Sequence, residues 1–205
     1  MNCRTRKRKE EICSQYYIQP VNYIQLLEGQ TKEGCCGPLD DKYYIFSYRP
    51  RGDYNIKPKY FFVGTHCANE FLDIINHKAL TLFNPLAIDS NGSSSSTGLS
   101  KGSDNFGKLN PFNQELLSAI NMLCITWDII PESGLVDIIT YTKKFSDTPN
   151  TNGLEWFNNM VSKDGLNRSL RQMIDTLRQK NKLKDLKYDR LNQYLNDHKM
   201  ENHIG

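Results

Sequence analysis

Gly34-Cys35-Cys36-Gly37-Pro38-Leu39 and Val63-Gly64-Thr65-His66-Cys67-Ala68 are the two stretches whose reading decides the fold of this chain. Each sets a sulfur beside a glycine, and strand-like sequence lies between them. A glycine that follows a turn cysteine tolerates positive φ and lets the backbone wrap toward the sulfur, the role Gly37 would play for Cys36. A cysteine at a helix start gains from amide groups and a dipole that favour its thiolate, and Cys67 stands just before Ala68-Asn69-Glu70. A structural zinc is held by four thiolate or imidazole ligands in a tetrahedron. The two turns therefore predict that Cys36 and Cys67 meet around a zinc ion and that the front half of the chain folds about that meeting point. The remaining ligands would come from Cys35, His66, Cys13 or Cys3. The alternative makes Cys35, Cys36 and Cys67 ordinary buried thiols and His66 a hydrogen-bonded turn residue, since free cysteine is among the most buried residue types.

Working outward, Lys42–Arg49 and Lys59–Val63 are rich in aromatic and β-branched residues and predict a hairpin, with Pro50, Gly52 and Pro58 punctuating the loop. Tyr16–Leu27 predicts a strand or two short extended pieces, and Gly29–Gly34 a polar turn. From Asn69 to Leu80 the spacing of Phe71, Ile74 and Ile75 predicts a helix. Ahead of this module, residues 1–11 carry Arg4, Arg6, Lys7, Arg8 and Lys9 and read as a mobile basic tail that includes Cys3. Behind it, residues 89–109 are dominated by Ser, Gly and Asn and read as a flexible linker.

Residues 110–205 change to helical periodicity. Asn110 suits a cap and Pro111 a first helical position. Phe112, Leu116, Ile120, Leu123 and Trp127 would share one face of a helix ended by Pro131. Leu135, Ile138 and Ile139 begin a second helix, Leu154, Phe157 and Val161 a third, and Leu166, Leu170, Met173, Ile174 and Leu177 a fourth, with Leu191 and Leu195 in a short last one. The expected class is α+β: a tail (1–11), a small zinc-stabilised β-hairpin-plus-helix module (12–88), a linker (89–109) and an all-helical domain (110–205).

Cys36-Gly37-Pro38-Leu39, a hairpin, and then Val63-Gly64-Thr65-His66-Cys67 opening a helix resemble a treble-clef-like zinc module of the kind found in small proteins of phages and mobile elements. Such modules carry further ligands three positions before each of these cysteines, where this chain has Glu33 and Gly64. The ligand set beyond Cys36 and Cys67 therefore stays open. The resemblance implies a structural zinc in a protein of that origin.

Net charge is only +3, hydrophobic residues make up 38% and mean hydropathy is -0.61. No apolar stretch is long enough to cross a membrane and no apolar segment follows the basic start, so the chain reads as cytoplasmic. There thiols stay reduced, and its six cysteines read as thiols or metal ligands, not disulfides. Arg49, Arg51, Lys57 and Lys59 bracket a hairpin crowded with Tyr43, Tyr44, Phe46, Tyr48, Tyr60, Phe61 and Phe62. Strand alternation turns roughly half of such rings away from the core side, where they can stack on bases of a single strand. The alternative covers both faces of the hairpin. Arg178, Lys180, Lys182 and Lys184 form a second basic cluster, and the two helices around it suggest either a helix-turn-helix with Lys184–Asn196 as reader or a bundle with a charged edge.

The composite expectation is a non-enzymatic nucleic-acid-associated protein whose cations contact phosphates. The rival is a protein-binding adaptor or inhibitor that docks through the aromatic hairpin or the helical domain. A metal-dependent nuclease using Asp40-Asp41 or Glu70 and Asp73 is the third reading. His66 beside Cys67 is a poor catalytic pair, because nucleophile and base are brought together by the fold and not by adjacency.

Overall fold

The charged run at the start of the chain is a helix. In the computed structural model, which describes residues 3–53, 55–87, 109–132 and 134–205, α1 spans Arg6–Gln15. Thr5 caps it, its side chain accepting from the Arg8 amide at 3.2 Å. The mobile-tail reading is thus corrected from Cys3 onward. What it missed is a buried stripe, Lys9, Ile12 and Cys13, at helical spacing among the charges.

The chain divides into two compact units, Met1–Leu82 and Phe83–Gly205. Beyond α1 the first unit contains β1 (Tyr16–Gln25), β2 (Lys32–Gly34), β3 (Gly37–Leu39), β4 (Lys42–Pro50), β5 (Lys59–Gly64) and α2 (Thr65–Ile74). β1, β4 and β5 form an antiparallel sheet in that order, and β2 pairs with β3. The register of β1 against β4 slips between Pro20 and Asn22, next to a proline that has no amide to give the ladder. One sheet face carries Ile18, Tyr44, Phe46, Phe61 and Val63, which share a core with Ile12 and Cys13 of α1 and Ala68, Phe71 and Leu72 of α2. Phe71 lies 5.6 Å from Phe46 and 5.7 Å from Phe61, ring to ring. On the other face Ile24, Tyr43 and Ile45 are buried as well. α2 begins at Thr65, earlier than its apolar spacing suggested, because Gly64 is extended and serves as its N-cap. It ends at Ile74, where Asn76 takes a left-handed conformation (φ 51°) and His77 donates back to the Leu72 carbonyl.

The second unit contains α3 (Pro111–Thr126), α4 (Gly134–Lys144), α5 (Thr151–Val161), α6 (Leu170–Arg178) and α7 (Asp189–Asp197). Asn110 and Pro111 open α3 as expected. Its buried surface is wider than a single face: every residue from Phe112 to Cys124 except Gln114 is buried, because α4, α5, α6 and α7 all pack around it. Glu115, buried on α3, accepts from the amides of Arg190 and Leu191 and from the Arg190 guanidinium, so it caps α7 from outside that helix. α3 stops at Thr126, before Pro131, with Asp128 left-handed (φ 52°). The chain is α+β, as expected. The expected linker, apart from Leu109, lies outside the described residues. Among the described residues no helix is long and apolar enough to cross a membrane.

Leu166 was expected on the face of α6 but is 71% exposed. Asp164 decides this. Its buried carboxylate accepts from the amides of Leu166 and Arg168, the Arg168 guanidinium and the Trp127 indole, which holds 164–168 as a turn. Ser169 then starts the helix in a capping box with Gln172. The Arg168 hydrogen bonds hold the Asp164 carboxyl far below the usual carboxylate range, against the opposing effect of burial. A lowered folded-state pKa contributes stability that is present above the unfolded value of about 3.9 and is lost as pH falls below it. Asp164→Asn is expected to cost about 2–4 kcal/mol in urea unfolding of the helical unit and to flatten its loss of stability below about pH 4. An unchanged unfolding midpoint would contradict this role.

Candidate metal centre

The Cys35-Cys36 turn is built by its neighbours. β2 and β3 pair as Lys32↔Leu39, Glu33↔Pro38 and Gly34↔Gly37, which leaves the two cysteines as the turn. Gly37 has φ 137°, and a Cβ on Gly34 would lie 2.8 Å from the Gly37 carbonyl oxygen, so the turn needs both glycines. The Cys35 amide donates to the Phe62 carbonyl at 2.9 Å, which hangs the turn on the edge strand β5. β5 runs directly into α2, so Cys67 in the first turn of that helix arrives beside it. Cys3 comes in ahead of α1, which is fixed to α2 by Arg6–Asp73 and Lys9–Glu70 ion pairs, both 2.7 Å.

Four sulfurs from three separate segments thus converge. The sulfur of Cys36 lies 3.6 Å from Cys3, 3.5 Å from Cys35 and 3.6 Å from Cys67. All four lie within 4.8 Å of one another and could hold a metal ion. Cys3 and Cys35 are joined as a disulfide, a departure from the expectation that all six cysteines stay unpaired. Cys3 is fully buried, Cys35 and Cys67 are half-buried, and Cys36 is the most open. The Lys9 ammonium is 1% exposed and reaches both Glu70 and the Cys67 sulfur. Burial pulls the Lys9 ammonium down, but its bond to Glu70 and the negative charge around it prevail and raise it. Burial, then Cys36, pushes the Cys67 thiol up, with Lys9 opposing. A cation among the four sulfurs would add to the pull of Lys9.

Of the ligands named from sequence, Cys36, Cys67, Cys35 and Cys3 come together, whereas His66 and Cys13 do not. The His66 side chain is 90% exposed and its ring nitrogen faces Glu70 at 3.7 Å. Facing outward from the first turn of α2, it cannot share the side of Cys67. Cys13 packs in the core under the sheet, and burial raises its thiol. The fourth member is Cys3. Its signal was Thr5, a capping residue just behind it, followed by the buried stripe of α1.

The basic residues divide. Arg51 is committed to α1, its Nε donating to the Cys13 carbonyl at 2.9 Å and its amide to Gln15. Arg49 lies over the Tyr17 ring at 5.2 Å, while Lys57 and Lys59 are exposed. Arg178 pairs with Asp175 and Asp185, and Lys184 donates to the Asn84 carbonyl. Lys180 and Lys182 are exposed. α7 begins at Asp189, after the residues expected to open a recognition helix, and its Leu191 and Leu195 are buried, which fits the bundle reading over a helix-turn-helix. Of the seven hairpin rings Tyr43, Tyr44, Phe46 and Phe61 are buried and the others half-buried, because both sheet faces are covered at that end. The acidic pairs serve elsewhere: Asp73 and Glu70 hold α1, and Asp41 accepts from Gln25 at 2.8 Å. Among the described residues neither pair gathers a third metal-ligating side chain.

A family model described as Uncharacterised conserved protein UCP028583 matches residues 1–201 and so takes in both units. No curated protein and no solved structure matches the chain.

Alkylation of the fully reduced, metal-free native chain is expected to modify Cys36 first. Cys13, and Cys124 with its thiol pushed up to about 12 by burial on α3, are expected to react only after unfolding. Peptide mass mapping over time reads the order, and early labelling of Cys124 would contradict the packing described.

Proposed function

The chain belongs to the family whose model covers residues 1–201, and we propose that its first unit is a zinc module in which Cys3, Cys35, Cys36 and Cys67 bind one structural Zn²⁺ as thiolates. The observation that carries this reading is the spacing of the sulfurs. Zinc–sulfur bonds of about 2.3 Å in a tetrahedron set neighbouring sulfurs about 3.8 Å apart. The contacts that Cys36 makes, at 3.5–3.6 Å, are close to that edge. A set of four thiolates favours zinc among the common divalent ions, and a closed shell leaves no position for substrate, so the centre is structural and not catalytic. Binding all four requires the Cys3–Cys35 bond to be reduced. A short hairpin turn facing the first turn of a helix supports the treble-clef resemblance. Here Cys35 and Cys3 take the places of the ligands that Glu33 and Gly64 do not supply.

Protein purified under reducing conditions without an affinity metal is expected to contain one zinc per chain. Cys36→Ser and Cys67→Ser lose it, and His66→Ala and Cys13→Ala keep it. A metal-free wild type, or zinc that depends on His66, would refute the assignment.

A second reading concerns the partner. At the open end of the sheet Tyr17 is 46% exposed under Arg49, Tyr60 stands across from Ser47 on the same face, and Lys57 is exposed in the loop that leads into β5, while Lys59, also exposed, stands across from Tyr48 on the other face. Rings between cations suit the bases and phosphates of a single strand. This supports a non-enzymatic, nucleic-acid-associated protein, with the platform moved from the hairpin's buried rings to Tyr17 and Tyr60. Anisotropy of a labelled single-stranded oligonucleotide is expected to show binding that weakens steeply with salt. Tyr17→Ala is expected to cost about 1–3 kcal/mol of that affinity. No binding at low salt, with salt-insensitive capture of a protein instead, would favour the adaptor reading.

A further inference from the structure

We propose that the centre is also an oxidation site: a peroxide attacks the Cys36 sulfur, the metal leaves, and Cys3 and Cys35 remain joined as a disulfide. This rests on the four-thiolate reading above. Two features of the cluster point to it. Cys36 is the most open of the four cysteines, and its sulfur lies 3.6, 3.5 and 3.6 Å from those of Cys3, Cys35 and Cys67. A small neutral oxidant therefore meets Cys36 first, and every other sulfur stands ready to resolve the product. The bonded pair is a different one: Cys3 and Cys35, whose Cα atoms are 5.9 Å apart, well inside the span a disulfide bridges. Oxidation at the exposed sulfur and storage in a pair that includes the fully buried Cys3 are thereby separated.

The steps balance. The Cys36 thiolate attacks one peroxide oxygen, an S–O bond forms as the O–O bond breaks, and the departing hydroxide takes a proton to become water. The sulfur, oxidised by two electrons, is then a sulfenic acid. The Cys3 thiolate attacks that sulfur, an S–S bond forms and a second hydroxide leaves, again protonated to water. The Cys35 thiolate next attacks the Cys3 sulfur and expels Cys36 as a thiolate. In sum two thiolates, one peroxide and two protons become one disulfide and two waters. Only Cys36 and Cys67 are left to the metal, too few for a closed zinc shell. A thiol reductant restores all four ligands.

The test uses the full chain loaded with zinc and treated with hydrogen peroxide. Zinc is followed with a chromogenic chelator, disulfides by peptide mapping, and sulfenic acid by dimedone trapping in short pulses. The expected result is a dimedone adduct on Cys36 at early times, then one zinc released with Cys3 linked to Cys35, reversed by dithiothreitol and added zinc. Cys36→His keeps a ligand but removes the attacked sulfur, and it is expected to release zinc about tenfold more slowly or less. Zinc that loads but stays bound in excess peroxide overturns the oxidation proposal alone. So does a first adduct on Cys67, or a final Cys36–Cys67 link. Failure of the reduced chain to load zinc overturns the four-thiolate reading and this proposal together. If Cys36→His does not load zinc, the adduct position and the linked pair in the wild type still decide.

Discussion

Three segments that lie far apart along the chain are held at one point by sulfur. Cys3 and Cys35 are separated by 32 residues and Cys36 and Cys67 by 31, so a tie among them closes most of the first unit into loops. The closure entropy of such loops grows only slowly with their length, and a cross-link removes it from the unfolded ensemble. A unit of this size has one small core, built from Ile12, Ile18, Phe46, Phe61, Phe71 and their neighbours. A metal or disulfide cross-link adds to what one small core supplies.

The sulfur positions in turn depend on backbone details. Gly34 and Gly37 make the turn tight enough to set Cys35 and Cys36 side by side at its tip, and the Cys35–Phe62 hydrogen bond sets that turn against the sheet edge. Gly64 ends β5 and begins α2, which brings Cys67 alongside. The Lys9–Glu70 pair then holds α1 in place and puts a buried positive charge next to the cluster. An isolated buried ammonium is costly, and Glu70 supplies the opposite charge that this one needs.

Much of this was legible in the residues. Glycine-flanked cysteines marked both sides of the site, the hairpin strands followed from β-branched and aromatic runs, and Asn110-Pro111 located the start of α3. The failures share a cause: partners distant in sequence decide what a local pattern becomes. Arg6 and Lys9 look like solvated charges until Asp73 and Glu70 are placed opposite them, and Cys3, though a candidate ligand, was placed with them in a tail. His66 stood as one of the candidates to complete the set beside Cys67, but one position around a helix turn directs it to solvent. The hairpin rings looked available because alternation gives a strand two faces and does not say which of them will be covered.

The second unit stands on different physics, a buried central helix with polar groups paired inside it, such as Glu115 with Arg190 and Asn113 with Asn150. It has no part in the sulfur cluster, so the two units should differ in their dependence on metal. The most direct test of the central claim is X-ray absorption at the zinc edge of the reduced chain. Four sulfur neighbours at about 2.3 Å are expected, with no nitrogen or oxygen in the first shell. A mixed sulfur–nitrogen shell, or one dominated by oxygen, would contradict it.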